Sequence, residues 1–259
     1  MIERWMVFLF GSASYALFLA VFLYAIGFVG GFGVPTTIDG PSTDVMGTPL
    51  MIDALLLAVF ALQHSLMARP RFKAIVTRFV PTAAERSLYV LASNAAMILL
   101  FWQWRPIGGV VWDVASPAGR GALYALGALG WATVLVTTFL IDHFDLFGMR
   151  QVWLHLRGRP YTRLAFTTPG PYRHVRHPLY VGWLLAFWAA PTMTVAHLFF
   201  ALMTTAYILV AIRFEERDLA AAHGPAYVEY RRRVPMLLPR LRASRTEEAA
   251  ANRRRIATA

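Results

Sequence analysis

Between residues 171 and 180 the chain reads PYRHVRHPLY, with two arginines, two histidines, two tyrosines and two prolines directly in front of the apolar run VGWLLAFWAA. A helix can be started with far less, since a proline in the first turn is enough. Further on, Glu215 and Glu216 close the last hydrophobic segment, and AHGPAYVEYRRRVPMLLP follows. Together these residue types suit a cationic, amphipathic, phosphate-free ligand. The two carboxylates can meet amines or ribose hydroxyls, and Tyr172 and Tyr180 offer ring faces to a cation or a purine. Pro178 starts the helix, and Gly182 lets backbone come close. Taken singly, each arginine or histidine is equally well read as an interfacial collar.

Two further stretches place ionisable groups at membrane depth, where such groups are functional candidates by default. ALQHSLMARPRFK holds Gln63, His64 and Ser65, and FLIDHFDLFGMRQVW holds Asp142, His143, Asp145, Arg150 and Gln151. A carboxylate beside an imidazole raises its basicity and fixes its tautomer, so His64 oriented by Asp142, or an equivalent His143, could act as a general base. A salt-bridge and hydrogen-bond network between helices is the competing reading. With no cysteine in the chain, disulfides, a thiolate nucleophile and Cys-ligated zinc or iron-sulfur sites are excluded. His174 and His177 lack a carboxylate at matching spacing, so no metal is expected.

The elements that must hold these groups are membrane helices. Of 259 residues, 58% are hydrophobic and only 15% charged, against roughly a quarter charged in a soluble domain. Apolar segments fall at about 5–30, 50–68, 84–104, 119–140, 178–190 and 194–212, the last two forming a hairpin whose first arm is short for a ~30 Å hydrocarbon layer. The expected fold is an all-α integral membrane bundle of five to six transmembrane helices, with the C-terminal hairpin and a cytoplasmic cofactor pocket. The first segment is too long for a signal-peptide core and reads as a retained helix.

With the N-terminus inside, all of the 25 basic residues except Arg105 and Arg120 fall in inside segments. The formal net charge of +11 is therefore an orientation signal and a contact with anionic headgroups, and no nucleic-acid partner is needed. Both termini are expected to be cytoplasmic, in a bacterial cytoplasmic membrane. Residues 1–140 read as the transmembrane bundle and 141–240 as cofactor loop, hairpin and cytoplasmic cap of the same domain. Residues 241–259 read as a disordered basic tail.

RHPLYVG, a hydrophobic hairpin, EE and then HGPAYVEYRRRVPMLLP in this order resemble the C-terminal signature of the membrane methyltransferase superfamily that includes isoprenylcysteine carboxyl methyltransferases and phospholipid N-methyltransferases. The resemblance covers roughly 170 to 239. It implies an S-adenosylmethionine pocket formed by Tyr172, Arg176, His177, Pro178, Tyr180, Gly182, Glu215 and Glu216. LQHSLMARPRFK and IDHFDLFG, with that signature, resemble the superfamily's small-thiol branch, the methanethiol S-methyltransferases, over nearly the whole chain. That implies methyl transfer from S-adenosylmethionine to a small thiol, giving dimethyl sulfide. The thiolate is the effective nucleophile, so a base or a positive field must act on the acceptor. His64 is the first candidate, with Asp142, His143 and Arg150 as the other catalytic candidates and Gln63, Asp145 and Gln151 as acceptor contacts. The alternatives are an isoprenylcysteine or phospholipid methyltransferase, a membrane NADPH-dependent reductase of related architecture, or a b-type haem protein using His64, His143 or His197.

Overall fold

The computed structural model describes residues 1–41 and 47–239. Helices α1 (Ile2–Gly30), α2 (Gly47–Met67), α5 (Pro117–Leu140) and α9 (Val195–His223) are long and apolar enough to cross a membrane. α4 (Glu85–Gln103) has a length similar to α2 but carries Ser87, Ser93 and Asn94, which it turns inward to other helices. Asn94 donates to the Ser14 carbonyl of α1 at 3.2 Å, the kind of interhelical hydrogen bond that substitutes for hydrophobic drive inside lipid. The short helices are α3 (Pro70–Val76), α6 (His143–Leu146), α7 (Met149–Leu156), α8 (Pro178–Trp188) and α10 (Pro225–Arg233). The expected helical membrane architecture is therefore observed, including the short first arm of the hairpin. The 11 residues of α8 rise only about 16 Å.

The sequence reading missed one element. Val110–Asp113 (β1) pairs antiparallel with Thr192–Thr194 (β2) at the end of the bundle opposite α3, α6, α7 and α10. β-branched and aromatic residues at 110–112, 192 and 194 favour extended backbone, and pairing satisfies main-chain groups where the α8 arm stops short. Asp39, Thr194 and His197 knit the loop before α2 to the same end, with His197 Nδ1 3.3 Å from Asp39 Oδ2. The proposed basic tail at 241–259 lies outside the described residues.

The larger of two buried cores among the described residues holds the bundle, and a smaller one of Val7, Ala84 and Val152 joins α1 to α7. Phe28, Leu57, Leu100, Phe101, Trp104, Phe187 and Phe200 are the large buried members of the larger core, drawn from both halves of the chain. α5 and α8 meet backbone to backbone at paired glycines. A methyl group on Gly130 would lie 2.5 Å from the Ala186 nitrogen, and one on Gly182 would lie 2.9 Å from the Gly130 carbonyl oxygen. Such small-residue contacts let membrane helices gain dispersion energy that bulkier residues would forbid. This packing fixes where α8 presents His177 and Tyr180.

α9 does not end with its apolar segment at 212 but continues as one helix to His223. Its final turns carry Glu215 and Glu216 to His177 at the α8 N-terminus, while Asp218 pairs with Arg69 ahead of α3 at 3.0 Å. Gly224, at φ 57°, then reverses the chain so that α10 folds back.

Candidate functional site

A cavity of about 1590 Å³ opens at the basic end of the bundle and runs inward between α2, α4, α8 and α9. Its mouth is lined by Tyr172, Arg176, His177, Tyr180, Glu215 and Tyr227, and its depth by His64, Tyr89, Trp183 and Tyr207. The two chemistry-bearing regions of the sequence thus face one space.

Three of the proposed cofactor residues do other work. Glu216 does not line the cavity; its Oε1 accepts from Arg176 Nε at 2.7 Å and lies 3.1 Å from His177 Nε2. Arg176 Nη1 also donates to the Arg231 and Val234 carbonyls, at 3.0 and 2.6 Å. Glu216 is therefore the clasp that fixes Arg176 and His177 between α9 and the chain after α10. Its side chain is only 13% exposed and that of His177 4%, so these groups sit inside the fold, not at its rim. Gly182 packs on Gly130 and Pro178 is buried in the first turn of α8; neither lines the cavity. Of the Glu215–Glu216 pair, Glu215 is the one that faces the space, with its Oε2 3.9 Å from His177 Nδ1.

The cradle fits a polar ligand with an aromatic part. Tyr227 is 1% exposed and lines the cavity, yet its hydroxyl has no hydrogen-bond partner among the described residues. A buried hydroxyl left this way costs free energy unless a bound molecule takes it up. Gln151 Oε1 and His155 Nε2, also on the cavity wall, are likewise unpartnered. Phe166 stands against Tyr227 and Tyr230, ring centroids 5.7 and 5.4 Å apart, forming an aromatic wall suited to a purine. Burial, reinforced by Glu215, raises the Tyr172 phenol, and burial pushes Tyr230 up to about 12, so both stay neutral donors.

Of the acceptor-side candidates, His64, Asp145 and Gln151 line the cavity, whereas Gln63, Asp142, His143 and Arg150 do not. The expected pairing of Asp142 with His64 is absent. Asp142, at φ 79°, caps α6 by accepting from the Asp145 amide at 3.0 Å. Arg150 is spent on Asp145 Oδ1 at 2.8 Å and the Thr162 carbonyl at 2.9 Å; the Asp145 hydrogen bond holds its guanidinium above the ordinary arginine value. Gln63 Nε2 donates to Met67 Sδ at 3.2 Å within its own helix. Lys73 and Arg86, which the sequence reading left unassigned, line the mouth instead, and burial, then Arg86, holds the Lys73 ammonium below the usual lysine range.

His64 is tied to α4. Its Nε2 lies 2.7 Å from the Tyr89 hydroxyl and its Nδ1 3.2 Å from Ser93 Oγ. Tyr89 and Ser93 escaped sequence reasoning because tyrosine and serine are ordinary in a membrane helix. Their spacing of one helical turn, in register with an imidazole, was the only signal. The haem reading loses its ligands: His143 and His197, like His64, have both ring nitrogens engaged by protein groups. Among the described residues no group of three or more His, Cys, Asp or Glu is placed to hold a metal ion.

A family profile described as Phospholipid methyltransferase matches residues 124–225. Methanethiol S-methyltransferase of Mycobacterium tuberculosis is 55% identical over 237 residues, covering 92% of this chain and 97% of the relative. That of Crocosphaera subtropica is 54% identical over 238 residues, covering 92% and 93%. Methanethiol S-methyltransferase 2 of Bradyrhizobium diazoefficiens is 51% identical over 245 residues, covering 95% and 94%. No solved structure matches the chain.

Proposed function

The chain belongs to the methanethiol S-methyltransferase family, and from that premise we propose that it methylates methanethiol to dimethyl sulfide with S-adenosylmethionine as donor. The observation that carries the reading is the single cavity that joins a polar, aromatic cradle at the membrane face to a histidine deep in an apolar wall. When bound, S-adenosylmethionine supplies an electrophilic sulfonium methyl that a thiolate takes by in-line displacement.

The chain's own residues do the rest. Glu215 is placed to meet the donor's amine or ribose hydroxyls, and Tyr227 to give its free hydroxyl. Tyr172 and Tyr180 present ring faces to positive charge. Arg176, clasped by Glu216, closes α10 over the cradle and keeps its walls in place. Deeper in, Phe60, Trp183 and Phe187 surround the acceptor's path with hydrocarbon, so that a bound acceptor displaces water there. His64, deep in the same cavity, is the base that ends up holding the charge of the proton released by the thiol. Methylation of a prenylated cysteine or a lipid amine and the reductase alternative are not favoured by the relatives' names.

Purified protein supplied with methanethiol and S-adenosylmethionine should form dimethyl sulfide, while a prenylcysteine and a lipid amine should give no methylated product. Calorimetry should detect S-adenosylhomocysteine, and Glu215→Ala should weaken it strongly. Failure of the wild-type protein to bind or to turn over would remove the reading.

A further inference from the structure

Resting on the thiol methyltransferase reading, we infer that Tyr89 is the group that takes the proton from the acceptor thiol, handing its own hydroxyl proton to His64 in the same step. The hydrogen-bond directions around His64 can be worked out from the hydroxyls. Ser93 Oγ donates its one hydrogen to the Tyr89 carbonyl at 3.0 Å, so its 3.2 Å contact with His64 Nδ1 is made by an Nδ1–H that donates. The lone pair of this neutral imidazole is then on Nε2, and the Tyr89 hydroxyl, 2.7 Å away, donates into it. One ring face is covered by Phe60, with centroids 5.2 Å apart and planes 25° apart.

No ring nitrogen of His64 is left free to meet a thiol. Tyr89 is different: it lines the cavity, its hydroxyl donates to His64, and that oxygen accepts no hydrogen bond from the described residues. A thiol seated in the cavity therefore meets the base through this oxygen. In the step, the S–H bond breaks and its proton passes to Tyr89 Oη while the Tyr89 O–H proton passes to His64 Nε2. The thiol sulfur keeps the S–H electron pair and spends it on the new S–CH3 bond. The methyl–sulfur bond of the donor breaks with its pair left on the donor sulfur. Tyr89 ends as it began, a neutral phenol, and His64 ends as an imidazolium that returns its proton to water after product leaves. Ser93 is a positioning residue that holds the imidazole in the tautomer this relay needs.

The test compares Tyr89→Phe, His64→Ala and the double variant for methanethiol turnover and S-adenosylhomocysteine affinity, alongside turnover of the unaltered enzyme in mixtures of light and heavy water. The relay predicts that Tyr89→Phe lowers turnover on the order of 10²-fold or more while affinity changes by less than about threefold. The double variant should be little slower than the slower single one, because both act in one unit. Two protons moving together make the rate fall along a bowed curve as the heavy-water fraction rises. A straight line, or a Tyr89→Phe loss below about tenfold beside a His64→Ala loss of ~10², would place the thiol directly on His64 and overturn the relay, leaving the thiol methyltransferase reading intact. If the unaltered enzyme does not methylate methanethiol, the functional reading itself falls.

Discussion

His64 and His143 are wired alike and placed differently. Each imidazole has a tyrosine hydroxyl at Nε2, Tyr89 at 2.7 Å for His64 and Tyr15 at 2.8 Å for His143. Each has a small hydroxyl at Nδ1, from Ser93 at 3.2 Å or Thr138 at 2.8 Å. In both, that hydroxyl gives its hydrogen to a main-chain oxygen, of Tyr89 or of Leu135. Both rings are therefore held as the same neutral tautomer. The difference lies in what surrounds them. His64 and Tyr89 line the cavity. His143 is 2% exposed, stacked face to face on Phe139 at 4.2 Å and hemmed in by Phe18, Phe144 and Phe147. Hydrogen-bond wiring sets an imidazole's tautomer and basicity, but access to substrate decides whether that basicity does chemistry or only joins α1 to α5.

The comparison breaks most visibly at the level of turnover. His64→Ala should cost on the order of 10² to 10⁴ in methanethiol turnover, partly recovered at high pH where the thiol ionises unaided. His143→Gln should leave turnover per folded molecule within about threefold and lower the thermal midpoint in detergent instead. Equal turnover losses from the two would mean that the sealed histidine reaches the acceptor after all. The next effect is on stability. Tyr15→Phe strands the buried His143 Nε2 and should cost about 1–3 kcal/mol. Tyr89→Phe should cost less stability, since solvent in the cavity can replace the lost hydroxyl.

A smaller effect separates the two rings by pH. Burial lowers the His143 value from its ordinary 6.5, against an opposing effect of Asp142. Between the lowered native value and about 6.5 the unfolded chain binds a proton that the native state does not. Stability contributed at this site is thus complete above about pH 6.5 and is lost as pH falls towards the native value. Melting curves of the wild type should show that acid-side decline, and His143→Gln should flatten it. The smallest expected change is from Asp142→Asn. Asparagine caps helices as well as aspartate and tolerates positive φ, so turnover should stay within about threefold. A hundredfold loss would restore Asp142 to the catalytic unit.

The cradle was the more legible half of the site. Tyr172, Arg176, His177 and Tyr180 come from one continuous stretch, and Glu215 follows at the end of the next helix, so order along the chain nearly gives the geometry. Even there, two assignments moved. Gly182, expected to let backbone come close and placed in the cofactor pocket by resemblance, is the contact point of α5 and α8; Glu216, placed in that pocket likewise, is the clasp behind Arg176 and His177. A glycine at a helix start looks the same whether backbone or cofactor approaches it.

By itself the sequence determined the membrane helices, the short hairpin arm, the basic and acidic groups gathered at one end, and His64 as a group worth testing. These follow from composition, segment length and residue type. Only the tertiary structure decided which of Glu215 and Glu216 faces the cavity, which histidine is sealed, and that His64 is joined to Tyr89 and not to Asp142. The reason is physical: lipid and protein interior are both apolar, so a membrane helix is hydrophobic all round and its pattern does not say which face looks inward. That rotation is set by contacts with other helices, Gly130 against Gly182 and Asn94 against Ser14 among them, and those contacts exist only once the chain has packed.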